Sequence, residues 1–138
     1  MRYLNKFKDI KNDSNRIIKE SYDAFIEDTK DILNHITDVG FTTSYKEYEK
    51  DLFFVRIFKV ITDEDYSFDS PEFRFDEIKF DVQSYLSYMT DELGYEISFI
   101  YSISKQNSRY MRTQHTKEEL INGKDLGNIK CLSIEFKK

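Results

Sequence analysis

Twice in this chain a stripe of apolar residues at helical spacing stops at a glycine and gives way at once to alternation. The first passage is LNHITDVGFTTSY, residues 33–45, and the second is LSYMTDELGYEISF, residues 86–99. With a single one-residue gap they share Leu33/Leu86, Thr37/Thr90, Asp38/Asp91, Gly40/Gly94 and Ser44/Ser98. A helix repeats a face about every 3.6 residues and a strand every second one, so each passage is a helix-to-strand joint. Gly fits the joint because it takes the left-handed conformation at a helix end cheaply. Two such joints commit the chain to a helix-then-strand plan, used twice.

The first stripe runs through Ile18, Tyr22, Phe25, Ile32, Leu33 and Ile36, with Thr29 filling it, and predicts a helix over residues 14–38. Asp13 or Ser14 is placed to cap its start. Beyond Gly40, the residues Phe41, Thr43 and Tyr45 alternate with Thr42, Ser44 and Lys46 as a half-buried strand. The polar turn KEYEKD then leads into a second strand, LFFVRIFKVI, residues 52–61.

Ser70 and Pro71 offer an entry for the second helix, since Pro at the first helical position loses no hydrogen bond. An entry nearer Asp76, with EFRF extended, is the alternative. The stripe Phe75, Ile78, Val82, Tyr85, Leu86, Met89 and Leu93 carries that helix to Gly94. Tyr95, Ile97, Phe99, Tyr101 and Ile103 then alternate as a strand. A polar segment, residues 105–128, holds a short helix TKEELI capped by Thr116, and the last strand, IKCLSIEFKK, puts Leu132, Ile134 and Phe136 on one face.

The chain therefore reads as one α+β domain over residues 1–138, built as αββαββ: a four-stranded antiparallel sheet with two helices on one face. An N-terminal segment, residues 1–12, precedes a first unit at 13–61 and a second at 70–138, the latter enlarged by the insertion 105–128. The two helical stripes also match at an offset of 53, as Tyr22/Phe75, Phe25/Ile78, Thr29/Val82 and Ile32/Tyr85. Internal duplication and convergence on one helix-stop chemistry both account for this.

A chain of 138 residues buries roughly 68% of its unfolded surface, and 12 Phe with 10 Tyr supply a core without Trp. The formal charge of −5 gives no global attraction to nucleic acid or anionic lipid, so contact with either has to be local. Cys131 is the only cysteine, which excludes an intramolecular disulfide and suits a reducing compartment. The start MRYLNKFKDI lacks the apolar core of a signal peptide, and Arg56 and Lys59 break the longest apolar run. A cytoplasmic protein is expected.

Catalysis is poorly supplied. His35 lies in the first helix, His115 lies in the polar segment, and no serine elbow, P-loop or dinucleotide fingerprint occurs. The loop with Asp63, Asp65, Ser67 and Asp69 has the alternation of a calcium loop. It has Phe68 where such a loop needs Gly, however, and Arg74 where it needs Glu. No catalytic residue, metal or cofactor is expected.

Two surfaces invite a binding role. Residues 105–117 carry Lys105, Arg109, Arg112 and Lys117 without an acid, interleaved with Tyr110 and Met111 and followed closely by His115. Lys105, Arg109, Tyr110, Arg112, His115 and Lys117 are thus candidates for a phosphate ligand or single-stranded nucleic acid, because cations meet phosphates and aromatics stack on bases. They also suit a charge match, within the chain or between subunits, with the acidic loop placed at the same end of the sheet, and that is the plainer reading. The second surface is the sheet face away from the helices, where Phe54, Arg56, Phe58 and Ile100, with Cys131, would form an interface. A homodimer would cover it, and so would the N-terminal stripe of Tyr3, Leu4, Phe7 and Ile10.

The opening MRYLNKF and the element Asp38-Val39-Gly40-Phe41, echoed by Asp91-Glu92-Leu93-Gly94-Tyr95, resemble a pattern in short uncharacterised proteins of tailed phages and their Bacteroidetes hosts. The resemblance implies a small accessory protein, phage-encoded or of the host, and brings no activity or site residues. The expected function is a non-enzymatic protein-interaction role with an unknown protein partner and self-association through the sheet face. Binding of single-stranded nucleic acid or another phosphate ligand through residues 105–117 is the alternative.

Overall fold

The computed structural model describes residues 13–60 and 70–138, with side chains from residue 21 onward. Helix α1 (Asp13–Ile32) and the single turn α2 (Asn34–Thr37) lead into β1 (Phe41–Glu49) and β2 (Leu52–Lys59). The short strand β3 (Phe73–Arg74) and a 3₁₀ turn (Phe75–Glu77) precede α3 (Lys79–Ser87), which continues as a π turn (Tyr88–Glu92). There follow β4 (Glu96–Gln106), β5 (Arg109–His115), α4 (Lys117–Ile121), β6 (Asn128–Ile129) and β7 (Cys131–Lys137).

The fold is α+β. Its main sheet has the strand order β1-β2-β7-β4-β5 and is antiparallel throughout, while β3 and β6 pair separately. Four strands were expected and five form, because the basic part of the 105–128 segment is not a loop. It is β5, paired with β4 from Ile100↔His115 to Gln106↔Arg109. The αββαββ order is accordingly interrupted by this strand, by α4 and by the β3/β6 ribbon. That ribbon joins the entry of α3 to the end of the segment before β7, through Phe73↔Ile129.

Both joints form as their glycines require, with Gly40 at φ +92° and Gly94 at φ +75°. The one-residue gap between the two passages falls at the π turn. A π turn holds one residue more than an α turn, so it takes up the extra residue while Met89 stays fully buried. The second helix begins later than Ser70 and Pro71 suggest, with Phe73 and Arg74 extended as in the alternative reading.

Helices α1 and α3 pack on one face of the sheet around Phe25. Its ring stacks on Phe53 at 4.9 Å and meets Phe136 at 5.5 Å and Tyr95 at 5.7 Å. Tyr85 of α3 reaches the same Phe136 at 5.6 Å. Burying each such ring contributes about 1.5–3 kcal/mol, so this cluster is the main cohesive element of the domain.

The expected face assignment holds for β2, where Phe53, Val55 and Ile57 join the helix-side core. It fails for Ile100, which belongs to that same core and not to the opposite face. The cause is a β-bulge: Ile97 pairs with Phe136 and Phe99 with Glu135, so Ser98 is extra and the alternation changes phase. Beyond the bulge, Phe99, Tyr101 and Ile103 face away from the helices while Ile100 and Ser102 face them.

Phe54 and Phe58 do point away from the helices, yet they are 7% and 1% exposed. Cys131, opposite Phe58, is fully buried as well. Arg56 donates to Ser133 Oγ at 3.2 Å and to Tyr101 OH at 3.4 Å. The stripe of Tyr3, Leu4, Phe7 and Ile10, and the loop of Asp63, Asp65, Ser67 and Asp69, lie outside the described residues.

Candidate binding surface on the hairpin of β4 and β5

Strands β4 and β5 are joined by Asn107 and Ser108, both with positive φ, at 50° and 65°. That is the handedness a two-residue hairpin turn needs, because its twist matches that of the flanking strands. Glycine usually marks such turns. Here only Asn107 signals one, since its short amide side chain tolerates the left-handed region. The second missing signal is hydrophobic alternation: every residue of β5 except His115 is exposed.

Once formed, the hairpin sorts the candidate residues. Tyr110, Arg112 and Gln114 share the face of Tyr101 and Ile103, away from the helices. The Arg112 guanidinium lies 3.7 Å from the Tyr101 ring centroid and 5.8 Å from that of Phe99, and the two rings are stacked at 5.7 Å. Such a contact contributes about 0.5–1 kcal/mol at an exposed site. It also fixes the guanidinium by its face. The N–H donors lie in the guanidinium plane, so the stack leaves its edge available for a carboxylate or phosphate.

Toward the turn, the ammonium groups of Lys105 and Lys130 lie 5.9 Å and 5.3 Å from the Tyr110 ring centroid. Tyr110 is 42% exposed and Met111 46% exposed. Arg109, at the start of β5, is also exposed, but it and Met111 lie on the opposite face of the strand. Lys105, Arg109 and Arg112 make no ion pair among the described residues. Lys117 does make one, with Asp91 at 3.9 Å, and sits in α4 at the far end of β5 from the turn.

His115 separates from the group altogether. It turns to the helix side, 6% exposed, with Nε2 2.8 Å from the buried Ser102 Oγ. Its Nδ1 is buried without a hydrogen-bond partner among the described residues. Burial, and then the charge of Lys124, lower its pKa from 6.5, while Glu119 pulls the other way. The imidazole is therefore neutral at neutral pH and adds no charge to the basic surface.

Glu119 also builds the corner next to His115. Its backbone N–H donates to Thr116 Oγ1 at 3.1 Å, and its carboxylate accepts the Thr116 N–H at 2.9 Å. This is a capping box, as TKEELI implies. Hydrogen bonds from Lys124, and then from Thr116, hold the Glu119 carboxyl down to about 2.

Three of the six candidates, Lys105, Tyr110 and Arg112, thus share one face of the hairpin, while Arg109 is exposed on the other. Sequence reasoning missed Phe99, Tyr101 and Lys130, which complete the shared face. The alternation of β4 held the signal for the first two, and only the register of β5 against β4 puts Arg112 on them. Among the described residues no group of three or more His, Cys, Asp or Glu is arranged to hold a metal. No helix among them is long and apolar enough to cross a membrane. Comparison with protein-family models, with curated proteins and with solved structures finds no match for the chain.

Proposed function

We propose that the protein is a non-enzymatic accessory protein whose β4/β5 hairpin binds an acidic surface of another protein. The observation that carries this reading is that Lys105 and Arg112, which make no ion pair among the described residues, share a face with the exposed Tyr110, while Arg109 and Met111 are exposed on the other face of the same hairpin. Arg, aromatic and Met side chains are enriched at protein interfaces, whereas acids and Lys are depleted, so Arg112 with Tyr110 is the anchor and Lys105 belongs to the rim. The net charge of −5 disfavours a long polyanion and leaves a short, local charge match as the better fit.

The specific observation behind the second reading, single-stranded nucleic acid or another phosphate ligand, is the set of cations held on rings: Arg112 on Tyr101, with Lys105 and Lys130 around Tyr110. Self-association through Phe54, Arg56 and Phe58 has less support, since both rings are buried. A cytoplasmic setting, in phage-infected or uninfected cells, goes with the single cysteine and with the resemblance of the opening.

The test is capture from an extract of the cognate cell with the wild type and with Arg109→Glu/Arg112→Glu, alongside anisotropy of a labelled oligothymidylate at about 50 and about 200 mM salt. Protein species held by the wild type at low salt and lost with the variant are expected. Salt-sensitive oligonucleotide binding that the variant loses would move the conclusion to nucleic acid. The same species held by both proteins would remove the hairpin from the interaction.

A further inference from the structure

The other edge of the sheet carries a different arrangement. Strand β1 has β2 on one side and no strand on the other among the described residues. The phase of its backbone is fixed by the Val60 N–H donating to the Gly40 carbonyl. Hydrogen-bonded pairs alternate along an antiparallel ladder, so Thr42 and Ser44 pair with β2 through Phe58 and Arg56. The N–H and C=O groups of Thr43 and Tyr45 then point outward, away from β2.

Along this edge runs a groove of about 530 Å³ between β1 and the helices, lined by Tyr22, Ile26, Lys30 and Leu33 and by Thr43 and Tyr45. Tyr22, Ile26 and Tyr45 are half-buried and pack on the core, so the groove floor is apolar. Its two ends differ in charge. At one, the Lys30 ammonium stands 5.9 Å from the Tyr45 ring centroid, with no ion pair among the described residues. At the other, Glu47 acts on Tyr22: burial, and then the Glu47 charge, raise the pKa of that phenol. One Glu47 carboxylate oxygen is buried without a hydrogen-bond partner among the described residues.

We propose that this groove binds an extended peptide that adds to β1 as a sixth, antiparallel strand, with its C-terminal or side-chain carboxylate at Lys30. An outward row of backbone donors and acceptors is matched by another extended backbone and by little else. Alternate side chains of such a strand point into the apolar groove under α1, which supplies the selectivity. The charge order sets the direction: acid at the Lys30 end, beside Thr43, and a basic group toward Glu47. A chain running from Glu47 to Thr43 is antiparallel to β1.

The experiment is selection from a random heptapeptide library displayed with free C-termini, followed by anisotropy of the enriched peptides with free and with amidated ends. The expected consensus has apolar residues at alternating positions and a terminal or near-terminal carboxylate. Lys30→Glu, a change on the exposed side of α1, should weaken binding at least tenfold. Thr43→Pro should do the same by removing an outward N–H, a change an edge strand tolerates. Arg109→Glu/Arg112→Glu, at the opposite edge, should leave it unchanged, and unfolding curves confirm that each variant is folded. No enrichment, or peptides whose binding ignores both β1-side changes, would overturn the proposal. So would a concentration-dependent dimer broken by Thr43→Pro, which would give the groove to a second copy.

Discussion

Thr29 Oγ1 and Tyr85 OH lie 2.8 Å apart, both residues fully buried, and their hydrogen bond joins α1 to α3 across the core. In the comparison of the two halves Thr29 stands opposite Val82, and Tyr85 opposite Ile32, so the pair exists because the halves differ. Each hydroxyl is satisfied by the other in a region with little else to offer. Thr29→Val and Tyr85→Phe are each expected to cost about 1–3 kcal/mol, because the remaining hydroxyl keeps its desolvation without its partner. The double variant should cost less than the sum of the two. Urea unfolding of the four proteins gives the coupling, and additive losses would show that the bond contributes nothing.

Phe25 touches Phe53 on β2, Phe136 on β7 and Tyr95 just before β4, so one ring of α1 ties three parts of the sheet together. Phe25→Ala should therefore lose about 3–5 kcal/mol, the range for removing a large ring from a core that collapses poorly. Phe25→Leu should lose less. A midpoint shift in urea at unchanged slope is the expected signature; a change in slope would point to an altered denatured state.

His115 gives the fold a dependence on acid. Its folded pKa is depressed below 6.5, by burial first and by Lys124 second. The neutral form is the one the native state keeps, so this contribution is fully present above the unfolded pKa. It is lost as pH falls through the folded value. Thermal unfolding at about pH 7.5 and about pH 5 should show a drop for the wild type. His115→Gln, which has no proton to gain in that window, should show a smaller drop. An equal drop in both would assign the acid sensitivity elsewhere.

Much of this fold is written in local chemistry. The helix stops at Gly40 and Gly94, the Thr116 cap and the apolar faces of β2 and β7 all follow from residue type and period, and all form. What escaped depends on partners distant in sequence or on a single misplaced residue. Ile100 changed face because Ser98 bulges, an event with no glycine to announce it. The strand β5 escaped because both its faces are wet, so the alternation that reveals a strand has nothing to alternate. The basic surface was visible as composition, whereas its geometry needed the pairing of Ile103 with Arg112.

The turn that brings β5 back offers the last test. Asn107 and Ser108 both sit in the left-handed region, which costs a residue with a Cβ about 1 kcal/mol or more. Asn is the better adapted of the two, so Ser108 carries most of the strain. Ser108→Gly relieves it, and the larger entropy glycine loses on folding offsets only part of the gain. A net stabilisation of about 0.5–1 kcal/mol is expected, or a rise of roughly 2–4 °C in Tm. Ser108→Val should move Tm the other way, since a β-branched residue is the poorest fit to positive φ. If Ser108→Gly lowers Tm and Ser108→Val does not, the two strands are not joined by this turn, and the basic surface built on their register loses its frame.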